Sequence, residues 1–176
     1  SSTGLLIDGA RQIGKTTIIE DFLSSNNIDF IELNLLENKL ALDAFNSSTN
    51  EKELMLRISA LANKNIVEGK TVIFIDEIQE AKDAITPIKF LVQKAPYKFI
   101  FSGSLLGEKL KDVLSVPVGF LTVLPMYPMD FGEFCKAVGV SDRTFSYLND
   151  CFQNKTKVDE IIHRQMMNLF NTYIVV

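Results

Sequence analysis

Gly9-Ala10-Arg11-Gln12-Ile13-Gly14-Lys15-Thr16 follows the pattern G-x-x-x-x-G-K-[ST], and its flanks decide how it folds. A short apolar stretch, Leu5-Leu6-Ile7, runs into it through Asp8. Behind it, Ile18, Ile19, Phe22 and Leu23 recur at helical spacing. Strand, glycine loop and helix in that order describe a phosphate-binding loop. The glycines let the backbone wrap closely, so that N–H groups at the helix start point at an anion. Lys15 brings a positive charge toward the β- and γ-phosphates, and the Thr16 hydroxyl is a ligand for Mg²⁺. Gly9, Ala10, Arg11, Gln12, Ile13, Gly14, Lys15, Thr16 and Thr17 are therefore expected to surround the nucleotide. A plain glycine turn is the competing reading, and the flanks argue against it.

Downstream, strand-like and helix-like segments alternate. Residues 28–35 alternate apolar and polar side chains, as a strand does. Leu40, Leu42 and Phe45 suit a short helix, and 51–68 read as a longer helix closed by Gly69. In Thr71-Val72-Ile73-Phe74-Ile75-Asp76-Glu77, four continuous apolar residues end in two acids, the mark of a buried parallel strand. Residues 84–95 read as a helix with Pro87 in its first turn, and 97–101 as a strand. A short helix over 105–114, a fifth strand over 118–124, and helices over 129–138 and 154–173 complete the reading. The fold class is α/β, with a mostly parallel sheet covered on both faces. Ligands in such folds bind beyond the carboxyl ends of the strands. The organisation expected is a core over 1–125 and a helical segment over 126–176 that begins a lid or linker.

Asp76 and Glu77 close the apolar run, on the edge where the phosphate loop also belongs. An Asp there can hold Mg²⁺, and a Glu beside it can orient and deprotonate an attacking water. The competing reading is a pair of acids in a solvated turn. Ser102 ends the next strand and is a candidate sensor of the γ-phosphate, while Ser104 suits a helix cap. Gln79 either reaches the phosphate or caps the turn. His163 has no partner in sequence, and the phenylalanines read as core.

Composition narrows the classes further. At 176 residues, 47% hydrophobic and 23% charged, the chain is globular. A net charge of −4 with scattered Lys and Arg leaves no electrostatic footprint for nucleic acid. No apolar run nears the roughly 18 residues needed to cross a bilayer. Cys135 and Cys151 lack C-x-x-C spacing and suit free thiols in a reducing cytoplasm. The absence of an initiator Met and the apolar Tyr173-Ile174-Val175-Val176 end suggest a piece of a longer protein.

Residues 9–17, Phe74-Ile75-Asp76-Glu77-Ile78-Gln79 and Phe101-Ser102-Gly103-Ser104 resemble the prokaryotic AAA-type (AAA+ superfamily) ATP-binding proteins. Val116-Pro117-Val118-Gly119 and the stretch from Leu124 to Phe134 are similar to that family's diagnostic segment. The resemblance implies a P-loop NTPase core with strands ordered 5-1-4-3-2, and ATP and Mg²⁺ as ligands. It implies Lys15 and Thr16 at the phosphates and Mg²⁺, Asp76 on Mg²⁺, Glu77 as base and Ser102 as sensor. It also implies a further C-terminal region. One departure counts: many members carry Arg or Lys after the glycine matching Gly119, and here Phe120 stands there. Arg11, within the loop, could serve the phosphates or a neighbouring subunit; Arg57 and Arg164 read as solvated. The expected activity is ATP hydrolysis driving movement of attached domains, with a homo-oligomer or protein partner in view. The alternative is a nucleotide switch with little hydrolysis. A GTPase is disfavoured because no N-K-x-D follows the 97–101 strand, and a small-molecule kinase because no Arg-rich lid is visible.

Overall fold

The computed structural model describes residues 3–104 and 119–175. The chain forms two compact units, Ser1–Tyr127 and Pro128–Val176.

The first unit is built on β1 (Gly4–Asp8), β2 (Phe30–Asn34), β3 (Val72–Asp76), β4 (Lys98–Gly103) and β5 (Leu121–Pro125). The strands are all parallel, in the order β2-β3-β4-β1-β5. That is the 5-1-4-3-2 order of a P-loop NTPase. Helix α1 (Lys15–Ser25) connects β1 to β2. Helices α2 (Lys39–Ser47), α3 (Glu51–Leu61) and α4 (Ile85–Lys94) belong to the next two crossovers.

All five residues of β3 are buried, which is why its sequence carries no polar alternation. Its odd and even side chains feed two different cores. Val72 and Phe74 pack with Ile7, Ile19 and Leu23 under α1. Ile73 and Ile75 join Phe45, Leu54, Ile58, Ile88 and Leu91 from α2, α3 and α4 on the opposite face. The register sets Asn34 beside Asp76, and Asp8 beside Gly103 and Pro125. Every strand thus ends on one edge, and that edge carries the polar residues.

Local differences from the sequence reading have local causes. The helix expected over 51–68 stops at Leu61, because Ala62 is already extended. Asn63 and Asn65 are poor helix formers, and Lys64 instead pairs with Asp29 on the β2 side. The fifth strand starts at Leu121, after a turn at Gly119 and Phe120, rather than at 118. The short helix read over 105–114 lies outside the described residues.

The second unit holds α5 (Phe131–Ala137), α6 (Asp142–Asn154) and α7 (Glu160–Tyr173). The last helix, expected over 154–173, begins only at Glu160; residues 155–159 are not helical and divide it from α6, which ends at Asn154 and was not among the expected helices. Lys155 takes a left-handed φ of 52° that ends α6, and the Asp159 carboxylate accepts the Ile161 and Ile162 N–H groups to start α7. The Ser141 hydroxyl caps α6, a start signal the periodicity reading passed over. Asp130 and Glu133 form a reciprocal capping box on α5. Phe131, Phe134, Phe170 and Tyr173 form a ring cluster with centroids 5.2 to 6.3 Å apart.

Candidate functional site

The phosphate loop connects β1 to α1 and is anchored at its β1 end to the ends of β4 and β5. The Gly9 N–H donates to the Gly103 carbonyl at 3.2 Å, and the Met126 N–H donates to the Asp8 carbonyl at 2.7 Å. A side chain at Gly9 would place its Cβ 2.2 Å from the Met126 carbonyl oxygen, so only glycine lets the loop pass β5 this closely. Gly14 sits at φ 88°, outside ordinary L-residue space, and no side chain caps the helix that follows. The first-turn amides of α1 are therefore presented as an anion site.

Lys15 is only 5% exposed. Its ammonium donates to the Gly9 and Ala10 carbonyls, at 3.0 and 2.6 Å. Among the described residues it forms no salt bridge. A buried cation resting on neutral carbonyls inside a concave loop fits a polyanion.

Asp76, 1% exposed, is the hub of the site. Its Oδ2 accepts the Thr16 hydroxyl at 2.8 Å and the Asn34 amide at 3.1 Å. Its Oδ1 accepts the Ser102 hydroxyl and the Glu77 N–H, the latter at 3.0 Å. Four elements thus converge on one carboxylate: α1, β2, β3 and β4. A Thr hydroxyl and a carboxylate in contact form a hard oxygen donor set, which suits Mg²⁺.

Glu77 adopts a left-handed backbone, φ 53° and ψ 43°. For a residue with a Cβ this costs on the order of 1–3 kcal/mol, and such outliers cluster at functional sites. The left-handed turn ends β3 and starts a single 3-10 turn, Ile78–Glu80. Gln79 donates from its side-chain amide to the Glu77 carboxylate and accepts the Ser104 N–H at 3.0 Å. Arg11 of the loop donates to Glu80 at 2.8 Å, with a side chain 61% exposed.

Ser102 is fully buried and its hydroxyl is committed to Asp76. Phe120 is also buried, within the core under β1 and β5. Arg57 binds Glu53 and the Ser47 and Ser48 hydroxyls, and Arg164 binds Glu160.

Sequence reasoning missed Asn34. The usable signal was a polar residue at the carboxyl end of an alternating strand, next to β3 in the expected order. It also missed an acidic pair one layer below the hub. Glu20 lies one helical turn beyond Thr16, and Glu32 lies two residues before Asn34 on the same face of β2. Burial raises the Glu32 carboxyl from 4.5 to about 7, helped by a hydrogen bond with Glu20 and by the charges of Glu20, Asp76 and Glu37. A 610 Å³ hollow opens beside this corner, lined in part by Glu32, Asn34, Glu37 and Lys39.

A family model described as an AAA domain matches residues 1–135. The chain belongs to that family. This AAA domain is thus a nucleotide-binding module by family. No curated protein matches the AAA domain significantly. Among solved structures it is similar to a RuvB mutant from Thermotoga maritima, with 15% identity and a TM-score of 0.49. The match covers 84% of this chain and 44% of that one, so the AAA domain spans less than half of that chain's length. Among the described residues, no helix of the AAA domain is long and apolar enough to cross a membrane, and no group of three or more His, Cys, Asp and Glu converges as a metal site.

Proposed function

We propose that this AAA domain binds ATP with Mg²⁺ at the 9–17 loop and hydrolyses it in the cytoplasm, moving whatever is attached to it. The observation that carries the reading is the contact between the Thr16 hydroxyl and Asp76 Oδ2 at 2.8 Å. It joins the phosphate loop to the Asp-Glu strand end, as a shared Mg²⁺ corner requires.

In this reading Lys15 and the loop amides hold the phosphates, while Thr16 and Asp76 hold the metal. Mg²⁺, when bound, neutralises charge on the phosphate oxygens. Glu77 orients and deprotonates the attacking water. Ser102 holds Asp76 in place and reports on the γ-phosphate through it, since its own hydroxyl is enclosed. The division of labour proposed for the chain is a core over 1–125 and a lid or linker from 126 onward. Glu77→Gln is expected to keep ATP binding within a few-fold and to cut turnover to a small residual rate; unchanged turnover would sink the reading.

The second reading is a nucleotide switch that scarcely hydrolyses, and buried Phe120 favours it. A residue packed in the core supplies no cation to a neighbouring site, where such a group is worth about 10³–10⁵ in rate. On the hydrolytic reading, that cation comes from a second copy of the chain or a protein partner. Single-turnover hydrolysis by the full-length protein separates the two readings.

A further inference from the structure

Gln79 has a place in this site that neither the phosphate loop nor the Asp-Glu pair requires. A glutamine side chain has a carbonyl that only accepts and an NH₂ that only donates. The Ser104 N–H, 3.0 Å away, is a donor only, so the Gln79 carbonyl must face it. The NH₂ group is thereby turned toward the Glu77 carboxylate, to which it donates. It also lies 3.5 Å from Glu80 Oε1, and Glu80 is tied to Arg11 of the phosphate loop. The amide is thus gripped by the end of β4 on one side and by acids of the 3-10 turn on the other. Glu77 needs such a grip: its side chain is only half-buried and springs from a strained left-handed backbone. Its three side-chain torsions would otherwise let the carboxylate wander.

We propose that Gln79 is the positioning residue for Glu77, anchored at Ser104 so that the end of β4 aims the carboxylate. The inference rests on the hydrolytic reading and adds the device that aims its base. A mere turn cap would need only the Gln79 carbonyl, and that difference makes the two roles separable. Gln79→Glu keeps an acceptor for Ser104 and, assayed at alkaline pH where the carboxyls at 77 and 79 are both ionised, offers Glu77 no donor. Gln79→Leu keeps the size and removes both.

The test uses the full-length protein, with far-UV circular dichroism to establish that each variant is folded. Both variants are expected to lower kcat by about 10- to 100-fold, the usual cost of a misplaced catalytic group. Gln79→Leu should leave KM for ATP within about threefold. In the Glu77→Gln background, Gln79→Leu should change the residual rate less than twofold, because its effect passes through Glu77. In ¹⁵N-labelled nucleotide-free protein, the Gln79 side-chain NH₂ signals should shift on Glu77→Gln. Wild-type kcat in Gln79→Glu would leave only the turn cap and overturn the proposal. So would a loss expressed wholly in KM, an equal loss in the Glu77→Gln background, or unmoved NH₂ signals. If wild type and Glu77→Gln turn over ATP equally, the hydrolytic reading fails instead, and the NH₂ shift still decides whether Gln79 grips Glu77.

Discussion

Replacing Asp76 by Asn asks whether this carboxylate is a structural hub or an electrostatic burden awaiting a cation. The two views differ in sign. Asp76 is 1% exposed and accepts four hydrogen bonds, two on each oxygen. Asn keeps one acceptor and turns an NH₂ group toward the other pair of donors. Facing Thr16 and Asn34, that group can be accepted by the rotating Thr16 hydroxyl but collides with the Asn34 amide. Facing Ser102 and Glu77, it can be accepted by Ser102 but collides with the Glu77 N–H. Either way one buried donor is orphaned, at about 1–3 kcal/mol, and the remaining bonds lose their charge assistance. Against this, removing the charge relieves the repulsion that helps raise Glu32, a smaller effect at a partly exposed site. The net expectation is a loss of about 2–3 kcal/mol, or roughly 5–10 °C in Tm for a chain of this size. The chain has no tryptophan, so urea unfolding is followed by far-UV circular dichroism, in EDTA without nucleotide. Equal or greater stability of Asp76→Asn under these conditions would refute the hub. Adding Mg²⁺ and ATP should then stabilise wild type and not the variant.

The two loop glycines should fail differently. Gly9→Ala must displace Met126 or Ile13, costing about 2–3 kcal/mol and weakening binding of a fluorescent ATP analogue at least ~10-fold. Gly14→Ala meets open space and pays only for its left-handed φ, about 1 kcal/mol; the reverse order in urea unfolding would contradict the geometry. Glu32 carries a pH signature. Its folded carboxyl holds a proton up to about 7 whereas the unfolded one releases it near 4.5, so between those values the folded state binds more protons. Stability from this group is present below the lower value and lost as pH rises through the upper. After discounting for solvent screening, Glu32→Gln should stabilise the protein by about 1 kcal/mol at pH 8 and not at pH 4.5. A gain that is independent of pH would count against the acidic pair.

Much of the fold was legible because its signals are local. The run from Val72 to Ile75 has no polar alternation, since a parallel strand is buried on both faces, and that marks it as an interior strand of the sheet. Lys15, Thr16, Asp76 and Ser102 were legible because each ends or follows a strand, and strand ends in this topology share one edge. Helix ends were less legible. The stop at Leu61 depends on Lys64 finding Asp29, a partner 35 residues away, and the gap at 155–159 depends on caps that carry no periodicity.

The resemblance to the AAA-type ATP-binding proteins implied the family and the order of the strands; by itself, the sequence determined the phosphate loop and the α/β class. These follow from spacing along the chain, where glycines, apolar periods and a strand-ending acid speak without neighbours. Only the tertiary structure decided what each acid is bonded to. It turned Asp76 into a four-donor hub, enclosed Ser102, buried Phe120, and set Gln79 between Ser104 and Glu77. The physical reason is that hydrogen bonds and desolvation act over about 3 Å of space, whatever the separation in sequence. Asn34 and Asp76 are 42 residues apart along the chain and 3.1 Å apart in the fold.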